Sequence, residues 1–102
     1  MRILLFFDLP TLTAEHLKAY RNFVKNIKKD GFYMLQESVY VKMVIDKQAS
    51  DASINRINKF IPKEGNVITL AITEKQFNSM NVIVGEYKTD VITDVERVVK
   101  LW

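Results

Sequence analysis

The chain has 102 residues, no cysteine, and 15 Lys and Arg against 12 Asp and Glu, a net charge of +3. That length suits one domain with a single core, and 48% hydrophobic against 26% charged residues excludes a disordered polymer. The missing cysteine excludes disulfides and thiolate metal sites and allows a reducing, cytoplasmic setting, while the small basic excess is compatible with nucleic acid without requiring it.

The chain opens on MRILLFFDLP. Ile3 to Phe7 is an unbroken apolar run of strand length, and a strand apolar at successive positions expects cover on both faces. Asp8 places one carboxylate at its C-terminal end, and Pro10, without an N–H, stops the ladder. The run is too short to span a membrane and has no signal-peptide cleavage site, so no membrane association is expected.

Thr11 and Thr13 are candidate N-caps for a helix over about 13–29. Leu17, Tyr20, Phe23, Val24 and Ile27 share one face of it. Lys18, Arg21, Lys25, Lys28 and Lys29 fall within an arc of about 100° on the opposite face, and Glu15 is the only acid in the stretch. Gly31 stands where a C-terminal helix glycine belongs. Residues 32–45 read as one long strand, 46–50 as a polar loop, and Ser50 or Asp51 as the cap of a second helix to about Ile61, with Ile54, Ile57 and Ile61 facing inward. A strand over 66–72 is followed by Thr73-Glu74-Lys75-Gln76-Phe77, which has capping-box spacing (Thr73, Gln76) and hydrophobic-staple spacing (Ile72, Phe77). A short helix to about Met80, a strand over 81–85, an acidic stretch over 86–96 and a short strand over about 97–101 complete the reading.

The pattern is taken as β-α-β-β-α-β with a tail: an α+β, ferredoxin-like sandwich in one domain over 1–102, of which about 86–102 is a dimer-associated tail. Both long helices then lie on one side of the sheet. The open side is rich in apolar residues, and a second copy giving a two-fold dimer is the simplest cover.

Asp8 has two readings. It is a strand-ending acid that hydrogen-bonds the turn before Pro10, or it is a ligand for Mg²⁺, which one or two carboxylates, waters and phosphate oxygens commonly hold. In a symmetric dimer whose strand ends lie near the axis one Asp becomes two, and the ion can polarise a phosphate and activate water. Lys18, Arg21, Lys25 and Lys28 are either a solvated helix face or a track for phosphate backbones, which a dimer doubles. No dinucleotide or Walker loop is present. His16, the only histidine, excludes multi-histidine metal sites and reads as a surface residue. Strand 66–72 has no aromatic, against an RNA-recognition motif. Tyr20, Phe23, Tyr33 and Tyr40 read as core or interface. Ser38 reads as a polar strand residue, with proximity to Asp8 as its second reading.

FFDLP (6–10), KAYRNF (18–23), GFYMLQESVYVK (31–42) and TEKQF (73–77), in this order, resemble the small CRISPR-associated adaptation protein, the second of the two core Cas proteins. TEKQF and the loop lengths are most similar to type II members. The resemblance implies a ferredoxin-like homodimer in spacer acquisition, bridging two dimers of the integrase, the first core Cas protein, on duplex DNA. Many members are described as Mg²⁺-dependent endonucleases on single-stranded RNA or double-stranded DNA. The family's catalytic, metal-binding acid maps onto Asp8, with Mg²⁺ or Mn²⁺ expected between the two Asp8 of a dimer. Its duplex-contacting residues map onto Lys18 and Arg21, and its C-terminal strand onto about 97–101. Phe7 stands where many members have Tyr. A toxin-like branch of small ferredoxin-like ribonucleases shares the strand-end Asp, so a stand-alone endoribonuclease and a non-enzymatic regulatory domain are the alternatives.

Overall fold

The apolar run at the start of the chain forms β1 (Arg2–Asp8), which lies inside the sheet with a neighbour on each side. The structure is a computed structural model in which residues 1–85 are described; the strand expected at about 97–101 and the rest of the tail lie outside the described residues. After β1 come α1 (Ala14–Lys29), β2 (Tyr33–Gln36), β3 (Val39–Met43), α2 (Lys47–Ile57), β4 (Asn66–Ile72) and α3 (Glu74–Asn78). The sheet order is β2-β3-β1-β4, with every pairing antiparallel. This is the expected α+β, ferredoxin-like arrangement.

Three boundaries differ from expectation. The long strand over 32–45 is a hairpin. Gln36 faces Val39 across a turn at Glu37 and Ser38, and Ser38 takes a left-handed φ of 64°. A serine there costs about 1–2 kcal/mol relative to ordinary backbone, which hid the turn from residue preferences. Residues 81–85 form no strand; the β-β step of the pattern comes from the hairpin, and β4 is the last strand among the described residues. α2 starts and ends earlier than expected. Asp46, not Ser50 or Asp51, caps it by accepting the Ala49 N–H at 2.8 Å, and Ser50 is buried within the helix.

α1 follows the sequence closely. The Thr13 hydroxyl accepts the His16 N–H at 3.1 Å. At the other end the Phe32 N–H reaches the Ile27 carbonyl and the Gly31 N–H the Lys28 carbonyl, a Schellman closure with Gly31 at φ 105°. Phe23 and Ile27 are buried, whereas Leu17, placed on the same face, is 40% exposed near the helix start.

Strand alternation divides β1 between two environments. Ile3, Leu5 and Phe7 join Phe23, Ile27, Tyr40 and Ile57 in the core on the helix side. Phe7 meets Phe23 and Tyr20 edge-on, with ring centroids 5.3 and 5.8 Å apart. On the other side Leu4 packs with Leu35, Val41 and Phe77, so α3 covers one end of the face that the sequence assigned wholly to a second copy. The capping box forms as predicted, with Thr73 and Gln76 exchanging hydrogen bonds of 2.9 and 3.1 Å. Arg2 fixes α3 in place. Its Nε donates to both Glu74 carboxylate oxygens at 3.1 Å, another guanidinium N–H donates to the Tyr33 hydroxyl at 2.6 Å, and the guanidinium lies 4.0 Å over the Phe77 ring. The far end of this face carries Phe6, Val39, Ile68 and Asp8, and Ile68 and Leu70 remain 62% and 51% exposed.

Candidate functional site

Asp8 ends β1 on that second face, exposed, while the next residue, Leu9, turns into the core. The neighbouring strand is drawn against it by a glycine. Gly65 has φ 104°, and a Cβ there would stand 2.6 Å from the Asp8 carbonyl oxygen and 2.8 Å from Leu9 Cδ2. Only a residue without a side chain lets β4 begin at this point. Asn66 then becomes the direct cross-strand partner of Asp8, a relation that sets Cβ atoms about 5 Å apart. On the other flank the Phe7 N–H donates to the Ser38 carbonyl at 3.1 Å, which ties the strained β2–β3 turn to the end of β1.

Asp8, Ser38 and Asn66 therefore border one shallow pocket of about 230 Å³, walled by Phe6, Val39 and Ile68. Among the described residues no ion pair or side-chain hydrogen bond engages Asp8, Ser38 or Asn66. The Asp8 carboxylate has no hydrogen bond to the turn before Pro10, the role its structural reading required.

The donor chemistry fits Mg²⁺ or Mn²⁺. All three side chains offer hard oxygen atoms, which these ions prefer. No group of three His, Cys, Asp or Glu side chains able to hold a metal occurs among the described residues. A single carboxylate, water and substrate phosphate suffice for Mg²⁺.

Lys18, Arg21, Lys25 and Lys28 are all exposed along α1, away from its buried Phe23–Ile27 face, and none of them lines the Asp8 pocket. Among the described residues none of the four is in an ion pair. Lys42 and Arg56, by contrast, are engaged. Lys42 donates to Asp30 at 3.0 Å, and the Arg56 Nε also donates to Asp30, which in turn accepts from the Ser53 hydroxyl. Burial pushes the Asp30 carboxyl up, and the hydrogen bonds from Arg56, Ser53 and Lys42, with the Lys42 charge, outweigh it and hold the group below the ordinary carboxylate value. This network ties the C-terminus of α1 to β3 and α2. His16 lies partly buried with Nε2 3.2 Å from Glu64, joining α1 to the loop before β4.

Sequence patterning missed Gly65 and Asn66 and gave Ser38 its proximity to Asp8 only as a second reading. Their roles depend on the antiparallel register of β1 with β4 and on a turn inside 32–45, neither of which a local pattern fixes.

Comparison with known proteins bears on the same residues. Residues 1–80 match the family described as CRISPR associated protein Cas2. A protein of Ligilactobacillus salivarius named CRISPR-associated endoribonuclease Cas2 is 41% identical over 101 residues, 99% of this chain and 100% of that one. Proteins of the same name from Treponema denticola and Streptococcus mutans are 44% and 45% identical, each over 99% of this chain and over 100% and 93% of their own. The crystal structure of Streptococcus pyogenes Cas2 at pH 6.5 superposes with a TM-score of 0.63 at 20% identity, covering 82% of this chain and 100% of that one, which shows a shared fold. With a matched sequence that spans both β1 with its terminal Asp8 and the capped α3, the chain belongs to the Cas2 family of CRISPR-associated proteins.

Proposed function

We propose that this protein works in CRISPR spacer acquisition as a two-fold homodimer that binds duplex DNA, bridges dimers of the CRISPR integrase, and hydrolyses phosphodiester bonds at a divalent-metal site formed by its two Asp8 carboxylates. The observation that carries the reading is Asp8 itself, an exposed acid without a partner among the described residues, at the mouth of a sheet face on which Ile68 and Leu70 remain exposed. Family membership supplies the context, and the name endoribonuclease carried by its relatives supports single-stranded RNA as a second substrate.

The chain's own residues divide the work. A second copy packed on Phe6, Val39, Ile68 and Leu70 shields apolar surface and brings a second Asp8 to the same end of the sheet. The two carboxylates hold Mg²⁺ or Mn²⁺, which when bound polarises a phosphate and lowers the pKa of its water. Lys18, Arg21, Lys25 and Lys28 of each copy lie along the outer surface of α1 and take the phosphate backbone without reading sequence.

The test is a gel assay with end-labelled duplex DNA and single-stranded RNA, using wild type and Asp8→Ala, with Mg²⁺ and with chelator. Wild type is expected to cut only with Mg²⁺, and Asp8→Ala to leave the strand intact while still retarding duplex. Cutting by Asp8→Ala, or cutting in chelator, overturns the metal-site half of the reading. Absence of any retardation by wild type at low salt overturns the DNA-binding half.

A further inference from the structure

The Asp8 pocket is bordered by two further polar residues, Ser38 and Asn66, to which neither the metal-holding nor the DNA-binding role assigns a task. Asn66 is held opposite Asp8 by strand register and by the close approach of Gly65. Ser38 is half-buried on the other flank, its carbonyl fixed by the Phe7 N–H. Ser38 is also the one non-glycine residue with positive φ among the described residues, at a position where glycine would carry no steric penalty. Three separate segments, the end of β1, the β2–β3 turn and the start of β4, thus bring Asp8, Ser38 and Asn66 to the border of one apolar-walled pocket.

We infer that Ser38 and Asn66 are positioning residues of the Asp8 site, which hydrogen-bond the water shell of a divalent cation held by Asp8. The inference rests on Asp8 as the cation's carboxylate and adds the residues that orient what it holds. With one carboxylate per chain, the ion keeps most of its water. Bound waters need acceptors, and the Asn66 carboxamide oxygen and the Ser38 hydroxyl oxygen are acceptors without a protein donor among the described residues. The surrounding Phe6, Val39 and Ile68 side chains offer such waters no hydrogen bonds, so these two groups are the polar anchors on either side of Asp8. The left-handed serine follows from the same need. Glycine would relax the turn but would remove the hydroxyl.

Mn²⁺ binding, measured by EPR titration of the free ion, tests this on wild type, Asp8→Ala, Ser38→Gly, Ser38→Ala and Asn66→Ala, with a thermal melt of each in chelator. Asp8→Ala is expected to abolish binding. Asn66→Ala and both Ser38 variants are expected to weaken it about tenfold, the scale usual for groups that orient metal ligands. Ser38→Gly is expected to melt no lower than wild type, which separates loss of the hydroxyl from loss of fold. If Asp8→Ala abolishes binding while Ser38→Gly and Asn66→Ala bind as wild type does, the positioning role is overturned and the Asp8 reading stands. If wild type binds no Mn²⁺, or Asp8→Ala binds as wild type does, both fall.

Discussion

The two faces of one sheet differ in how they are finished. On the helix side, Ile3, Leu5 and Phe7 are sealed by α1 and α2, and the polar groups at the margin are tied together, with Asp30 joined to Ser53, Lys42 and Arg56. On the other side, α3 seals only the Arg2–Leu4 end, and Asp8, Ser38, Asn66, Ile68 and Leu70 stay accessible. Interiors tolerate neither voids nor unpaired polar groups. The sealed face therefore accounts for stability, and the accessible face leaves apolar and polar groups of the sheet itself open to binding. The same strand serves both because successive side chains point in opposite directions.

The sharpest way to break this contrast is at the sealed face. Phe23→Ala removes a buried ring that meets Phe7 and Phe60, and a loss of about 3–5 kcal/mol in a denaturant melt is expected. Next comes the polar lock. Asp30→Asn removes the charge that Lys42 and Arg56 share, with an expected loss of about 2 kcal/mol at neutral pH. The folded carboxyl lies below its ordinary value of 3.8. Its contribution is therefore present above that value and is lost as pH falls through the lower, folded value. Wild type should lose stability on acidification below about pH 4, and the gap between it and Asp30→Asn should close there. A gap unchanged at low pH would remove Asp30 from the account.

Smaller effects sharpen the picture at α3 and along the outer surface of α1. Thr73→Ala breaks the capping box of α3, at a cost of about 1 kcal/mol by melt. Lys18→Ala with Arg21→Ala should alter stability by less than about 0.5 kcal/mol, yet weaken duplex binding. For wild type, log affinity should fall with log salt at a slope of about −7 if all four side chains of both copies reach phosphate, and the double variant should roughly halve it. A slope near zero for wild type would exclude backbone contacts by α1.

The sequence showed the elements whose signals are local. β1, α1 with its Thr13 cap and Gly31 exit, β4 and the Thr73 capping box all rest on spacing within a single element and its ends. It misjudged what depends on distant partners. Ser38 looked like a strand residue because its left-handed turn is imposed by the β2–β3 pairing, and Asp46 was hidden in a loop because several nearby polar residues could cap α2 equally well. At the site, Asp8 was legible from one end of a strand. Its neighbours Ser38 and Asn66 come from two other segments, and only the register brings them to it.

The contrast between the faces rests most directly on whether a second copy completes the accessible one. Sedimentation velocity at micromolar concentration should find the 11.9 kDa chain as a dimer of twice that mass. Ile68→Glu with Leu70→Glu should convert it to a monomer with an unchanged circular dichroism spectrum. A wild type that sediments as a monomer, or a dimer indifferent to the two substitutions, would contradict the assignment of this face.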